Sequence, residues 1–295
     1  MQILDGTVVR ADILAGLRPR IAKLKRRPGL AVILVGHDPA SEIYVRGKIK
    51  ACAELGIYSE KLTPDETIST ADLLAMIDAL NHREEIDGIL VQMPLPRQID
   101  SRRVLEAVAP DKDADGFHPV NVGHMVAGRP APRACTPAGI IRMLQHYHVP
   151  MEGRNAVVVG RSDIVGKPMA LMLLQESATV TVCHSRTSNL AEECRRADIL
   201  VAALGRAAFI TADFIAPGAT VIDVGQTRIA DRPEAARLGK ADEFDRRGYA
   251  LVGDVNPVDV MHTAAAYTPV PGGVGPLTIA MLMSNTVELA ERHGC

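Results

Sequence analysis

The chain has 295 residues, 47% of them hydrophobic and 23% charged, a soluble globular balance that excludes disorder, collagen and coiled coil and, at this length, predicts two domains. Its 33 basic against 35 acidic residues leave a formal charge of -2, so no electrostatic field calls for nucleic acid or an anionic membrane, and 3% aromatic content without Trp offers no base-stacking platform. Cysteines at 52, 135, 183, 194 and 295 are odd in number and form no CxxC pair; they are read as free thiols in a reducing, cytoplasmic setting. Asp5 and Asp12 near the start argue against a signal or transit peptide, and no apolar run reaches the ~20 residues of a membrane span.

Apolar runs with strand character alternate with segments of helical spacing, the signature of an α/β protein with parallel sheets. In the first half the predicted strands are Leu30 to Val35, Ile57 to Leu62 and Gly88 to Met93, with helices around Ser41 to Leu55 and Ser69 to His82. The first and third strands read as buried on both faces and the second as a polar edge. Pro110 to Cys135 reads as loop, and Thr136 followed by Pro137 as an N-cap opening a helix at the domain joint. The second half offers strands at Asn155 to Val159, Thr179 to Cys183, Ile199 to Ala203 and Thr220 to Val224, a helix at Pro168 to Glu176, and a closing helix at Leu277 to Glu291. A Rossmann-type doubly wound sheet accommodates this order.

Several segments carry candidate chemistry, each beside a plainer alternative. The turn from Gly160 through Arg161 and Ser162 to Gly166 stands where a dinucleotide fold holds pyrophosphate, and is equally readable as a simple strand-to-helix turn. It is no Walker loop, because five residues separate its glycines and Pro168 replaces the magnesium-binding hydroxyl. His184-Ser185-Arg186-Thr187 at the next strand exit lacks the acidic residue that selects NAD, and its hydroxyl and guanidinium groups suit a 2′-phosphate; a solvated loop is the alternative. Tyr44 and Lys48 are four apart on one helix face, with Gln92 at a strand exit and Asp115 in KDADG. A lysine beside a phenol and an amide can serve in proton transfer, or be merely solvated. Thr268 to Pro276, TPVPGGVGP, is too rich in Gly and Pro for a regular element and reads as a binding loop or a connector.

Taken together, VGHDPASEIYVRGK, GILVQMPLP, DKDADGFHPVNVG, ACTPAGI, VVVGRSDIVGKPM, TVTVCHSRT, VIDVG, GDV and TPVPGGVGP resemble, in order and spacing, the bifunctional methylenetetrahydrofolate dehydrogenase/methenyltetrahydrofolate cyclohydrolase family. The resemblance runs from about Ile3 to Glu291. It implies two α/β domains flanking a cleft, one formed by residues 1–138 and 277–295 and binding folate, the other by 139–276 and binding NADP. It also implies oxidation of 5,10-methylenetetrahydrofolate with NADP, hydrolysis of the methenyl product to 10-formyltetrahydrofolate, and a homodimer, with no metal.

By the same resemblance Tyr44, Lys48, Gln92 and Asp115 bind the folate. Asp115 holds the pterin, and Lys48 with Gln92 assists the proton steps. Pro271, Gly272 and Gly273 lie along substrate and nicotinamide, while Gly160, Arg161, Ser162, Ser185, Arg186 and Gln226 meet the cofactor. Two departures stand out. Gln226-Thr227 replaces the family's usual Ile-Asn after VIDVG, and Arg228 to Gly248 is longer and more charged than the usual turn, so it is read as a solvated insertion.

Overall fold

A computed structural model describes all 295 residues, the side chain of Ala40 apart. The N-terminal half runs β1 (Gln2–Ile3), α1 (Gly6–Ile21), β2 (Gly29–Ile33), α2 (Pro39–Leu55), β3 (Tyr58–Leu62), α3 (Thr70–Asn81), β4 (Gly88–Val91), α4 (Ser101–Ala107) and α5 (Pro119–Val126). The C-terminal half continues with α6 (Cys135–His146), β5 (Asn155–Val159), α7 (Gly166–Gln175), β6 (Thr179–Cys183), α8 (Leu190–Cys194), β7 (Ile199–Ala202) and β8 (Thr220–Asp223). It ends with β9 (Thr227–Ile229), α9 (Arg232–Arg237), α10 (Ala241–Arg247), β10 (Ala250–Val252), α11 (Pro257–Thr263), β11 (Ala266–Tyr267) and α12 (Gly275–Arg292).

The chain divides into two compact units. The first comprises Ala11–Cys135 and Ile279–Cys295, the second Met1–Arg10 and Thr136–Thr278. Residues 1–138 and 277–295 were expected together, but the first ten residues belong with the other unit, because Gln2 and Ile3 pair in parallel with Ala266 and Tyr267. A two-residue strand carries no periodicity by which sequence could place it.

In the first unit β3-β2-β4 form a parallel sheet. The central strand, GLAVI, is wholly buried, and β3, with its Ser, Glu and Lys, takes the edge the sequence predicts. Ile33, Ile77, Ile86 and Ile89 anchor its core, each fully buried side chain contributing about 1.5–3 kcal/mol. Helix α2 starts where Asp38 accepts a hydrogen bond from the Ser41 amide at 2.8 Å, with Pro39 in its first turn, and stops at Gly56, whose φ of 73° few other residues adopt. The outer edge of β4 is covered by the following loop: the Ile89 amide donates to Lys112 O at 2.7 Å and the Ala114 amide to Ile89 O at 3.3 Å.

The expected loop from Pro110 to Cys135 contains α5, capped by the His118 ring nitrogen, which accepts from the Val120 amide at 3.1 Å. Histidine is an uncommon cap, so the helix start was not legible. Helix α6 begins at Cys135, and Thr136 does not cap it; its hydroxyl instead shares a hydrogen bond with that of Thr278 at 2.9 Å.

The second unit holds a six-stranded parallel sheet in the order β1-β11-β8-β7-β5-β6. The order reverses at β5, whose neighbours β6 and β7 lead to opposite edges, so the crevice beyond the carboxyl ends of β5 and β7 is where such a sheet takes a ligand. The stretch from Arg228 to Gly248 is not merely solvated. It contributes to a β-α-α-β unit in which β9 and β10 pair antiparallel around a small core of Ile229, Ala235, Leu238, Ala250 and Val252.

Candidate active site

In the first unit, α2 and the ends of β4 and its covering loop bring three predicted residues together. Lys48 is only 8% exposed, and its ammonium donates to Gln92 Oε1 at 2.9 Å. The Gln92 amide is oriented from its other side, Nε2 donating to Met93 O at 2.7 Å, so the oxygen faces the lysine. Its backbone amide, bonded to Ile33 O at 2.8 Å, continues the sheet register past β4. Tyr44, one helical turn before Lys48, is 43% exposed, and partial desolvation raises its phenol above the usual value.

Asp115 follows the segment that covers β4. Burial pushes its carboxyl up to about 6; Lys48 opposes that rise and Asp113 adds to it. The two neighbouring carboxylates divide their work. Asp113 accepts from the amides of Gly116 at 3.0 Å and His118 at 2.8 Å and from Asn121 Nδ2 at 3.0 Å, fixing the turn and leaving Asp115 as the carboxyl not committed to it. Gly116 has φ 72°, and a Cβ there would lie 2.4 Å from Arg133 C, so this turn admits only glycine. The thiol of Cys135 nearby is pushed well up by burial, and Cys52 and Cys194 are pushed to about 12 by the same cause. The cysteines are free, but these three are inert as nucleophiles at neutral pH.

In the second unit the remaining residues gather at the carboxyl edge of the sheet. Gly160 follows β5 with φ 139°, and a Cβ there would lie 2.2 Å from Ala203 O, beyond β7. Gly160→Ala is therefore expected to cost about 2 kcal/mol or more, seen as a fall in Tm of roughly 5 °C; an unchanged melting curve would show that the turn tolerates a side chain. The Ser162 hydroxyl accepts from the amides of Val165 at 3.2 Å and Gly166 at 3.3 Å. Its two acceptor sites are thus used inside the turn and only its O–H is left to donate outward. Part of the amide array expected to face an anion is closed internally.

The Gly160 amide bonds Cys183 O at 2.9 Å, which sets the exposed Ser185 and Arg186 beyond β6 next along the same edge. Arg161 and Gln226 are exposed as well. The loop after β11 is held along its length: Thr268 Oγ1 accepts from the Asp223 amide at 2.7 Å and its own amide donates to Val221 O at 3.1 Å, the Gly6 amide donates to Gly272 O at 2.9 Å, and the Gly273 amide to Pro269 O at 2.7 Å.

Sequence reading assigned no role to Asp223 and Asp254, although both lie in quoted motifs. They are the fasteners of this edge. Asp254 accepts from the amides of Leu204, Gly205 and Arg206, and Asp223 from those of Asp254, Val255 and Gly225. Neither is more than 1% exposed, and burial pushes Asp223 up to about 7. An acidic residue ending an apolar strand, as in VIDVG and GDV, was the available signal.

The catalytic-domain model of tetrahydrofolate dehydrogenase/cyclohydrolase matches residues 4–115, and the NAD(P)-binding-domain model matches residues 134–294. The chain belongs to the tetrahydrofolate dehydrogenase/cyclohydrolase family. It is 64% identical to the bifunctional protein FolD of Solibacter usitatus over 300 residues, covering 99% of this chain and 98% of that protein. It is 57% identical to that of Koribacter versatilis, covering 98% and 96%.

Among solved structures, the bifunctional FolD of Campylobacter jejuni superposes with a TM-score of 0.90 at 42% identity over 99% of each chain. A Trypanosoma brucei FolD, solved with NADP cofactor and inhibitor, superposes at 0.89 with 38% identity over 98% and 97%. This member of the tetrahydrofolate dehydrogenase/cyclohydrolase family is accordingly a bifunctional methylenetetrahydrofolate dehydrogenase and methenyltetrahydrofolate cyclohydrolase.

Proposed function

We propose that the enzyme uses NADP, binds its folate through Tyr44, Lys48, Gln92 and Asp115, and works as a cytoplasmic homodimer. The observation that carries the site reading is the buried Lys48 ammonium, fixed on an oriented amide and in the field of a carboxyl poised near 6.

The tight glycine turn, the outward O–H of Ser162 and the exposed Arg161, Ser185 and Arg186 fit a phosphorylated dinucleotide. NADP, when bound, supplies the hydride acceptor. The substrate carbon lies between two nitrogens that stabilise the resulting cation, so the chain's residues need only orient it. Asp115 accepts hydrogen bonds from the pterin, and Pro271, Gly272 and Gly273 border the reacting end. In hydrolysis the water oxygen bonds to the methenyl carbon and the bond from that carbon to N5 breaks. N5 takes one proton and one is released, and Lys48 is placed to relay the proton while Gln92 holds it.

For NADP selectivity, Arg161→Ala is expected to raise the KM for NADP about 10- to 100-fold, as loss of a charged hydrogen bond of roughly 1.5–3 kcal/mol requires, with NAD little changed. Equal losses for both cofactors would remove Arg161 from the 2′-phosphate. The homodimer reading is supported by the unpaired outer edge of β6 and the exposure of Val182 on it and of Leu174 on α7; light scattering at micromolar concentration tests it. The cytoplasmic reading is supported by the free thiols. Reaction of methylenetetrahydrofolate with NADP or NAD, following reduced cofactor and methenyl product together, tests the whole assignment. Methenyl accumulation at the uncatalysed hydrolysis rate would leave a dehydrogenase alone.

A further inference from the structure

The β9-α9-α10-β10 unit has no part in the chemistry described above, yet it reaches the loop after β11 at one atom. Lys240, at the start of α10, donates from Nζ to Val270 O at 2.6 Å. The lysine is itself held. Its backbone amide bonds Ala235 O at 2.8 Å and its carbonyl accepts from the Phe244 amide at 3.0 Å, both within the small unit. One turn on, Glu243, only 9% exposed, lies 3.6 Å from the Lys240 ammonium and 3.1 Å from Arg247. The other ties on the 268–273 loop come from the sheet, from the N-terminal segment or from the loop itself. The Lys240 bond comes from the insertion and is the one that carries a charge.

We propose that Lys240 is a positioning residue for substrate binding: the insertion clamps the Val270 carbonyl and so sets the path of Pro271, Gly272 and Gly273. The proposal rests on the reading that these three residues border the substrate. A charged donor on a main-chain carbonyl makes a short, strong bond, and rotation of that carbonyl turns the adjoining peptide, which carries Pro271 into Gly272. Gly272 has φ 107° and its carbonyl is bonded to Gly6, so a shift at Val270 is passed along the loop rather than absorbed at once. The side chain of Lys240 is about 22% exposed, and Met keeps its stem packed while removing the donor.

The test compares Lys240→Met, Lys240→Arg and Gly272→Ala with wild type in the full chain. Each is assayed for steady-state oxidation of methylenetetrahydrofolate, melting temperature, and amide exchange at Gly272 and Gly273. Lys240→Met is expected to raise the folate KM about tenfold with kcat within about threefold. It should also speed exchange at the two glycines with little change elsewhere, and Lys240→Arg is expected to restore both. A wild-type KM in Lys240→Met, while Gly272→Ala raises it, would overturn the clamp and leave the loop's role standing. Unchanged KM in both variants would overturn the loop's role and the clamp with it. Acceleration of exchange throughout the unit would mark Lys240 as a general stabiliser and also overturn the proposal.

Discussion

Replacing Lys48 with Met is expected to slow hydrolysis of methenyltetrahydrofolate by about 10²- to 10⁴-fold, the range typical of a lost acid–base group, while hydride transfer to NADP persists. The asymmetry follows from the two reactions. Oxidation of the methylene carbon generates a cation that its two nitrogens already stabilise, so it needs orientation, whereas hydrolysis cannot finish without moving a proton from the attacking water. In the described structure Lys48 alone joins burial, an ammonium donor and an oriented amide partner in the first unit's site. Met matches the length of the lysine stem, so the packing of α2 should survive. The decay of methenyltetrahydrofolate absorbance, corrected for its spontaneous hydrolysis, reads the effect. Full hydrolytic activity in the variant would remove Lys48 from the proton step, and equal loss of both activities would point to a binding or folding defect.

The helix spacing of Tyr44 and Lys48 and the strand run ending near Gln92 were legible because local pattern alone sets them: α2 and β4 appear close to where periodicity put them. That Lys48 Nζ meets Gln92 Oε1 was not legible, since the two residues are 44 apart in sequence and only the parallel register of β2 with β4 brings them together. The apolar strands β5, β6, β7 and β8 read clearly, each a β-rich run between turns. By contrast β1 and β11, two residues each, exist only because the sheet edge pairs them. The folded insertion was missed because its charge suggested solvent, although the Asp231 cap on the Glu234 amide and the left-handed glycines at 239 and 248 were helix signals within it. Apart from the Gly225 amide two residues on, the partners of the buried carboxylates Asp223 and Asp254 lie 31 to 50 residues away in sequence, and no spacing rule announces them.

Asp115→Asn is expected to lower kcat/KM for methylenetetrahydrofolate about 100-fold or more, while making the protein more stable at neutral pH. The first effect follows if the carboxylate accepts charge-assisted bonds from the pterin, each worth roughly 1.5–3 kcal/mol. The second follows from the sign of its titration. Burial raises the folded carboxyl from 3.8 to about 6, so the folded state holds the proton more tightly than the unfolded chain does. Stability from this group is therefore greatest at acid pH and falls as pH rises from about 4 to about 6, staying constant above. The difference is worth at most about 3 kcal/mol, less because the carboxyl retains solvent contact. Asparagine cannot ionise, so the variant's Tm should exceed that of wild type at pH 7.5 by a few degrees, and the gap should narrow to about half by pH 5 and close only below about pH 4.

Activity runs the other way across the same window. In wild type kcat/KM should climb as pH rises through about 6, where Asp115 ionises, and the variant should lack that limb. A variant that is no more stable at pH 7.5 would mean that the carboxyl is well solvated. An acid limb kept in Asp115→Asn would assign it to another group.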